Sequence, residues 1–377
     1  MADPRFLQIH FLAPYTAALL NRDDAGLAKR LPYGGTLRTR VSSQCLKRHW
    51  RLADDPHALG RIAGTTDAFR SRETIDRKVL AGLTEVDDTV LKPIRDALLV
   101  AVYGDKGADK KSRQTLLLGE VEVAYLAAEA KRLVADAAGN GKKAEEIAKD
   151  WLKTHKANLK ALSEGAKLPG GLTGALFGRM VTSDPRANID APVHVAHAFT
   201  VHAEEAESDY FIAADDLARD EDTGADTIQE TELTSGLFYG YVVVDIPGLI
   251  ANLGGDAALA GEVLHNLLYL IAEVSPGAKL GSTAPYSRAS FLLVEAGDRQ
   301  PRSLAEAFRD ACAASTGPAV ARLTAHLQAL DAAYATGEAR RVMTLANADM
   351  PGAERGSLAD LAGFVRSLPA QLTESAA

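Results

Sequence analysis

Apolar and polar positions alternate with a period of two from Phe6 to Leu12, which places Leu7, Ile9 and Phe11 on one face of a strand and Gln8 and His10 on the other. A polar loop follows from Asn21 to Gly35, and the same period returns in Leu37 to Ser42, with Leu37, Thr39 and Val41 on one face and Arg38, Arg40 and Ser42 on the opposite one. Ser42 or Ser43 is a good N-cap for the next element. At about 100° per residue, Lys47, Arg51 and Arg48 cluster on one side of that helix and Leu46, Trp50 and Ala53 on another, so it carries a basic face and an apolar face.

From Thr66 to Lys167 the pattern is helical and rich in Ala, Leu, Lys and Glu, with breaks at Pro93, Gly104 to Gly107 and Gly139-Asn140-Gly141. This block reads as a helical insertion. The glycine-bearing stretch Pro169 to Met180 lacks the Gly-Lys-Ser/Thr ending of a phosphate loop, so it does not imply a nucleotide. Val193 to His202 reads as a strand, Leu237 to Ile246 as another, Ala257 to Val274 as an apolar helix and Ser290 to Glu295 as a strand, with two or three helices closing the chain. With the helical block and an acidic segment set aside as insertions, the order is strand, helix, strand, strand, helix, strand. That is the ferredoxin-like order, which the RNA-recognition motif shares, so the expected class is α+β.

Composition changes this picture little: 377 residues, 47% hydrophobic and 24% charged, exclude a disordered or low-complexity chain. Two cysteines, Cys45 and Cys312, are too few for a disulfide framework or a cysteine zinc site, so no cofactor is expected and a reducing compartment fits. The start lacks a basic stretch before an apolar core, and no apolar run is long enough to span a membrane; the expectation is a cytoplasmic protein without membrane contact.

Charge changes it more. The net of −8 argues against nucleic acid, yet residues 1–51 hold nine Lys or Arg against three Asp, whereas residues 193–232 hold twelve Asp or Glu against one Arg. The cations concentrate in Arg38-x-Arg40-x-Ser42-Ser43-Gln44-x-x-Lys47-Arg48-x-x-Arg51, with Arg22, Lys29 and Arg30 upstream. A strand edge with arginines that feeds a helix N-terminus suits phosphates, and this patch is long enough for a strand of backbone rather than one phosphate ester. Asp23 and Asp24 lack further ligands at a metal-binding spacing, and His194 and His202 share a strand face that His197 does not, so no metal site is expected. Asp209 to Asp216 sets Tyr210 and Phe211 in acidic surroundings, where exposed rings would need a partner such as a base.

Asn21-Arg22-Asp23-Asp24, Gly34-Gly35, Arg40-Val41-Ser42-Ser43-Gln44-x-Leu46-Lys47-Arg48, Gly178-Arg179-Met180, Val195-Ala196-His197-Ala198, Asp209-Tyr210-Phe211 with Asp215-Asp216-Leu217, Ser235-Gly236-x-Phe238-Tyr239 and Pro276-Gly277-Ala278-Lys279 occur in that order. In these blocks the sequence resembles the backbone subunit of the type I-E CRISPR surveillance complex, the CasC family of Cascade. The resemblance implies a modified RNA-recognition-motif palm (residues 1–60, 183–199 and 233–377), helical fingers (61–182) and a β-hairpin thumb (200–232). It implies a non-enzymatic subunit that polymerises with further copies of itself along the CRISPR RNA and presents guide bases to target DNA. The other Cascade subunits, including the guide-processing endonuclease, would be its partners. Lys29, Lys47 and Arg51 fall on phosphate-contacting positions, joined by Arg22, Arg38, Arg40, Ser42, Ser43, Gln44 and Arg48. Met180, Tyr210, Phe211 and Ala214 fall on positions that wedge beside a displaced base. Two other readings stay open: an RNA-cleaving subunit using Asp23, Asp24 or Asp184, and an α/β enzyme that holds an anionic metabolite.

Overall fold

The computed structural model describes residues 4–155, 168, 170–181, 184–213 and 227–375. In chain order come β1 (Phe6–Ala18), β2 (Arg30–Tyr33), β3 (Thr36–Val41), α1 (Ser43–Arg51), β4 (Ala68–Ser71), α2 (Asp88–Tyr103), β5 (Leu116–Gly119), α3 (Glu120–Ala137), α4 (Gly141–His155) and α5 (Gly171–Phe177). Then follow β6 (Val193–Val195), β7 (Ala198–Thr200), β8 (Glu205–Ala213), β9 (Thr227–Asp245), α6 (Ile246–Asn252), α7 (Ala257–Glu273), α8 (Leu280–Thr283), β10 (Phe291–Gly297), α9 (Thr316–Tyr334), β11 (Ala339–Thr344), β12 (Ala353–Arg355) and α10 (Leu358–Ser375). The fold is α+β. The chain divides into two compact units, one of Met1–Leu59, His194–Ile246 and Gly261–Ala377, the other of Gly60–Val193 and Pro247–Ala260.

The first unit is built on one sheet, ordered β12-β11-β10-β1-β9-β7-β3-β2, with β6 and β8 also paired to β9. Four of the five strands marked by the sequence pattern lie side by side in it as β10-β1-β9-β7, antiparallel throughout, and the fifth, β3, follows β7. β1 is central, and Leu7 to Ala13 are buried without a break because both faces of the sheet are covered. On the face that carries Leu12, Phe199, Tyr239, Phe291 and Leu293, the cover is Leu304, Phe308 and the α9 residues Val320, Leu323 and Leu327. The strand expected at Val193 to His202 is split at Ala196-His197, and the one expected from Leu237 begins ten residues earlier, at Thr227, because it continues into a hairpin with β8.

In the second unit, Ile94, Leu98, Leu126, Leu133 and Trp151 bring α2, α3 and α4 around one core. The helical pattern is interrupted by β4 and β5, which pair antiparallel as Ala68↔Gly119 to Ser71↔Leu116, a correction to the all-helical reading. Short apolar runs such as Leu116-Leu117-Leu118 fit helix and strand equally. Pro93 does not break α2: it sits in the second turn, forfeits one backbone bond, and is outweighed by the burial of Val90, Ile94, Ala97 and Leu98. The glycine-bearing stretch is a packing device, since a Cβ at Gly171, where φ is +60°, would lie 2.7 Å from the Asp67 carbonyl oxygen.

One polar cluster lies inside the first unit. The carboxylate of Glu295, wholly buried on β10, accepts from Arg302 at 2.7 and 2.8 Å, from Arg340 Nε at 2.7 Å and from His10 Nε2 at 3.0 Å. His10 Nδ1 in turn lies 2.9 Å from the Tyr239 hydroxyl. Burial alone would raise the Glu295 carboxyl, but its arginine and histidine donors overcome this and hold it far below the ordinary range. Burial holds the His10 imidazole below 6.5 against the pull of Glu295. Both groups therefore bind fewer protons folded than unfolded, so stability is full above 6.5, declines as pH falls through that value and declines again below 4.5. Glu295→Gln removes the carboxylate that Arg302 pairs with and one of the three that Arg340 pairs with, Asp331 and Glu338 remaining, and a loss of about 3–5 kcal/mol in urea unfolding is expected, together with a flatter pH dependence below 4.5; a loss under about 1 kcal/mol contradicts this.

Candidate nucleic-acid interface

The loop before β2 is a closed unit rather than a solvated link. Asn21 accepts from Lys29 N through its carbonyl at 2.9 Å and from Ser42 N through its side chain at 2.9 Å, which ties both ends of the loop to the start of α1. Asp23 turns the chain by accepting from Ala25 N at 2.9 Å and Leu27 N at 3.0 Å. Arg22 and Asp24 are exposed. Lys29 is therefore presented from a fixed backbone beside β3, where Arg40 N donates to the Lys29 carbonyl at 2.8 Å.

α1 begins as its sequence requires: Ser42 is the N-cap, its hydroxyl accepting from Cys45 N at 3.3 Å. Leu46 and Trp50 are buried, Ser43 is buried at the first turn, and Gln44 and Arg48 are exposed. Lys47 and Arg51 lie half-buried one turn apart.

Arg38 requires a correction. It points inward with 0% exposure, donating from Nη1 to the Thr200 carbonyl at 3.0 Å and from Nη2 to the carbonyls of Phe308 at 3.0 Å and Arg309 at 3.1 Å. Leu37, on the face opposite Arg38, is 45% exposed. The β2–β3 turn packs so closely on this platform that a Cβ at Gly34, where φ is +60°, would overlap the Arg309 carbonyl oxygen. Ser42 and Ser43 are likewise buried in the cap rather than displayed. Arg30 is also withdrawn from the cationic surface, since Nε pairs with Glu204 at 2.5 Å and Nη2 with Glu232. Glu204 immediately precedes β8 and Glu232 lies on β9 opposite Ser208, so part of the acidic stretch anchors the hairpin.

What remains converges. Arg40 on β3 donates from Nε to the Arg30 carbonyl at 3.1 Å and from Nη1 to His197 Nδ1 at 3.0 Å. Partial desolvation against the protein, and then the charges of Arg40, Lys29 and Lys47, hold the His197 ring below its ordinary value, so cations from the loop, from β3 and from α1 share one small area. Lys29 and Arg48 act in the same way on Cys45, although its burial dominates and pushes the thiol up to about 11. The sequence reading considered His197 as a metal ligand, on the strand face opposite His194 and His202; in the structure it lies at the break between β6 and β7, hydrogen-bonded to Arg40. His202, by contrast, is a core residue whose Nε2 accepts from Leu237 N at 3.1 Å.

The expected wedge residues are spread over both units. Met180 is 78% exposed in the second unit, next to Arg179, whose buried guanidinium meets Glu122 at 2.7 Å and the Ala187 carbonyl at 3.0 Å. Reciprocal backbone bonds of 2.9 Å between Arg179 and Ile189 fix the same segment, so this methionine is displayed from a rigid support. Tyr210, 59% exposed, sits on β8 opposite Glu230 in the first unit, and Phe211 stands opposite Gln229. Ala214 lies outside the described residues. Asp184, a candidate for RNA cleavage, is buried and accepts from Arg186 N at 3.2 Å as a turn cap. Among the described residues no group of three or more His, Cys, Asp or Glu is placed to hold a metal, and no helix is long and apolar enough to cross a membrane.

The sequence profile of the CT1975-like proteins, a Cas family, matches residues 7–368. This chain belongs to the CT1975-like family. No curated protein matches it. Among solved structures it is similar to a chain of a "CRISPR RNA-guided surveillance complex, pre-nicking", with a TM-score of 0.76, 26% identity, and coverage of 96% of this chain and 100% of that one. It shares its fold with a chain of a "CRISPR RNA-guided surveillance complex" at a TM-score of 0.58 and 22% identity, covering 96% and 99%.

In the CT1975-like chain, then, Arg38 supports the cationic surface from beneath while Lys47 belongs to it. Arg38→Met takes the guanidinium donor from three carbonyls, two of them in buried hydrogen bonds, and is expected to cost about 3 kcal/mol in chemical denaturation. Lys47→Ala is expected to stay within about 0.5 kcal/mol of the parent. Equal effects of the two substitutions would refute this division of roles.

Proposed function

We propose that this CT1975-like protein is a non-catalytic backbone subunit of a CRISPR surveillance complex, of the type I-E Cascade kind, that binds the sugar–phosphate backbone of its guide RNA. The observation that carries the reading is the convergence of Lys29, Arg40 and Lys47 on one surface around His197, with Arg48 close by on α1. Cations from a locked loop, a strand and a helix form a patch that neutralises several phosphates and reads no base edge, which is the chemistry needed to hold a guide of any sequence. The strand order β10-β1-β9-β7 supports an RNA-recognition-motif-like palm, and the paired β8 and β9 support a thumb. The family and the full-length similarity to a chain of a pre-nicking surveillance complex support the assembly.

Met180 in the second unit and Tyr210 in the first are both exposed, and each by itself offers a surface against which an unstacked base can rest. Bases held only through their backbone stay free to pair with target DNA. The outer hairpin keeps Glu205, Glu207, Asp209 and Glu230 exposed, and a second copy that offers its cationic surface would meet complementary charge, a head-to-tail contact that propagates into a filament. The engagement of Asp23 and Asp184 in backbone turns favours the non-catalytic reading over RNA cleavage.

Replacing Lys29, Lys47 and Arg48 together by alanine is expected to weaken binding of single-stranded RNA of guide length equally across sequences. The slope of log affinity against log salt should flatten by about two units, at roughly 0.7 per lost phosphate contact. An unchanged slope in filter-binding or anisotropy titrations contradicts the assignment.

A further inference from the structure

His197 stands where a simple cationic track has no use for a neutral ring. Arg40 approaches it as a donor, Nη1 to Nδ1 at 3.0 Å, which requires Nδ1 to be the bare nitrogen. The charged groups that face it are Lys29 from the loop before β2, Arg40 from β3 and Lys47 from α1, all positive. The ring is exposed, and its neighbours Val195 and Ala198 belong to two short strands held in the sheet, with Ala196 N bonded to the Tyr241 carbonyl at 2.9 Å. In the empty protein a proton on Nδ1 would displace the Arg40 bond and add a fourth positive charge to three already crowded together. A phosphodiester laid across the patch reverses both penalties: it brings negative charge beside the three cations, and it takes over Arg40 as a donor to its own oxygens.

We propose that His197 is a phosphate-binding residue of this surface that takes up a proton as the polyanion docks, so that RNA binding is proton-linked. The inference rests on the RNA-binding reading given above and adds to it a specific group and a pH dependence. The reaction balances simply: one proton passes from solvent to Nδ1, the Arg40 Nη1 to Nδ1 hydrogen bond is given up, and both cations then donate to phosphate oxygens. By linkage, a group whose proton affinity rises on binding makes the affinity rise as pH falls. The partial desolvation and the three cations that hold the free ring below its ordinary value place the effect around and below neutrality.

The test is calorimetric titration of the full chain with single-stranded oligouridylate of guide length, from about pH 8 to about pH 6, in buffers of different ionisation enthalpy. The unmodified chain is expected to take up protons on binding and to bind about three- to tenfold more tightly at the acid end, since one unit of raised proton affinity is a factor of ten. His197→Gln should bind with the proton uptake reduced and that gain lost, and His197→Lys, with its permanent charge, should bind tightly and show no gain toward acid pH. If His197→Gln retains the parent's pH dependence and proton uptake while RNA binding stays salt-dependent, this inference is overturned and the RNA-binding reading stands. If the unmodified chain binds no RNA at either pH, both are overturned.

Discussion

The cationic surface depends on a guanidinium that never reaches it. Arg38 lies fully buried, and among the described residues it has no carboxylate opposite and its Nε finds no acceptor; its charge is met by the carbonyl dipoles of Thr200, Phe308 and Arg309. Burial lowers its proton affinity, the cost of taking the charge out of water. In return it fastens β3 to the strand beside it and to the turn that Gly34 rests upon, so the strand that carries Arg40 has one position. Removing the guanidinium takes a charged donor from three carbonyls at once, which is why the arrangement resists loosening.

From that fixed strand the separation of charge follows. A chain with a net charge of −8 gathers positive potential in one place by pairing or burying the cations that would blur it: Arg30 goes to Glu204 and Glu232, and Arg38 goes inside. Lys29, Arg40, Lys47 and Arg48 remain as the surface set. The acidic hairpin contributes twice, by drawing Arg30 away through its base and by keeping its outer carboxylates exposed. Holding opposite charges apart within one molecule keeps the positive patch available to a polyanion.

Much of this was legible in the sequence, for stated reasons. The period of two in Phe6 to Leu12, the serine cap of α1 and its basic and apolar faces are local properties, and the structure keeps them. The facing of β3 was not legible: alternation says that Arg38 and Arg40 share a side, yet in a sheet covered on both sides it does not say how deep each lies. His197 was missed because an unbroken strand was assumed across residues 193–202, and only the interruption at Ala196-His197 brings the ring to the cations. The roles of Glu204 and Glu232 were hidden because their partner Arg30 lies 174 and 202 residues away. The strand pair of β4 and β5 escaped a helical pattern for the same reason, since it joins segments far apart in the chain.

The central claim is that the cations left at the surface form one track for a sugar–phosphate chain. The most direct measurement is a cryo-electron map of the protein assembled on a guide-length RNA, at a resolution that separates phosphates from side chains. The account predicts successive phosphate oxygens within about 2.7–3.2 Å of the nitrogen donors of Lys29, Arg40, Lys47 and Arg48. RNA that follows another face of the first unit, with these four side chains facing only water or their own carboxylates, would contradict it.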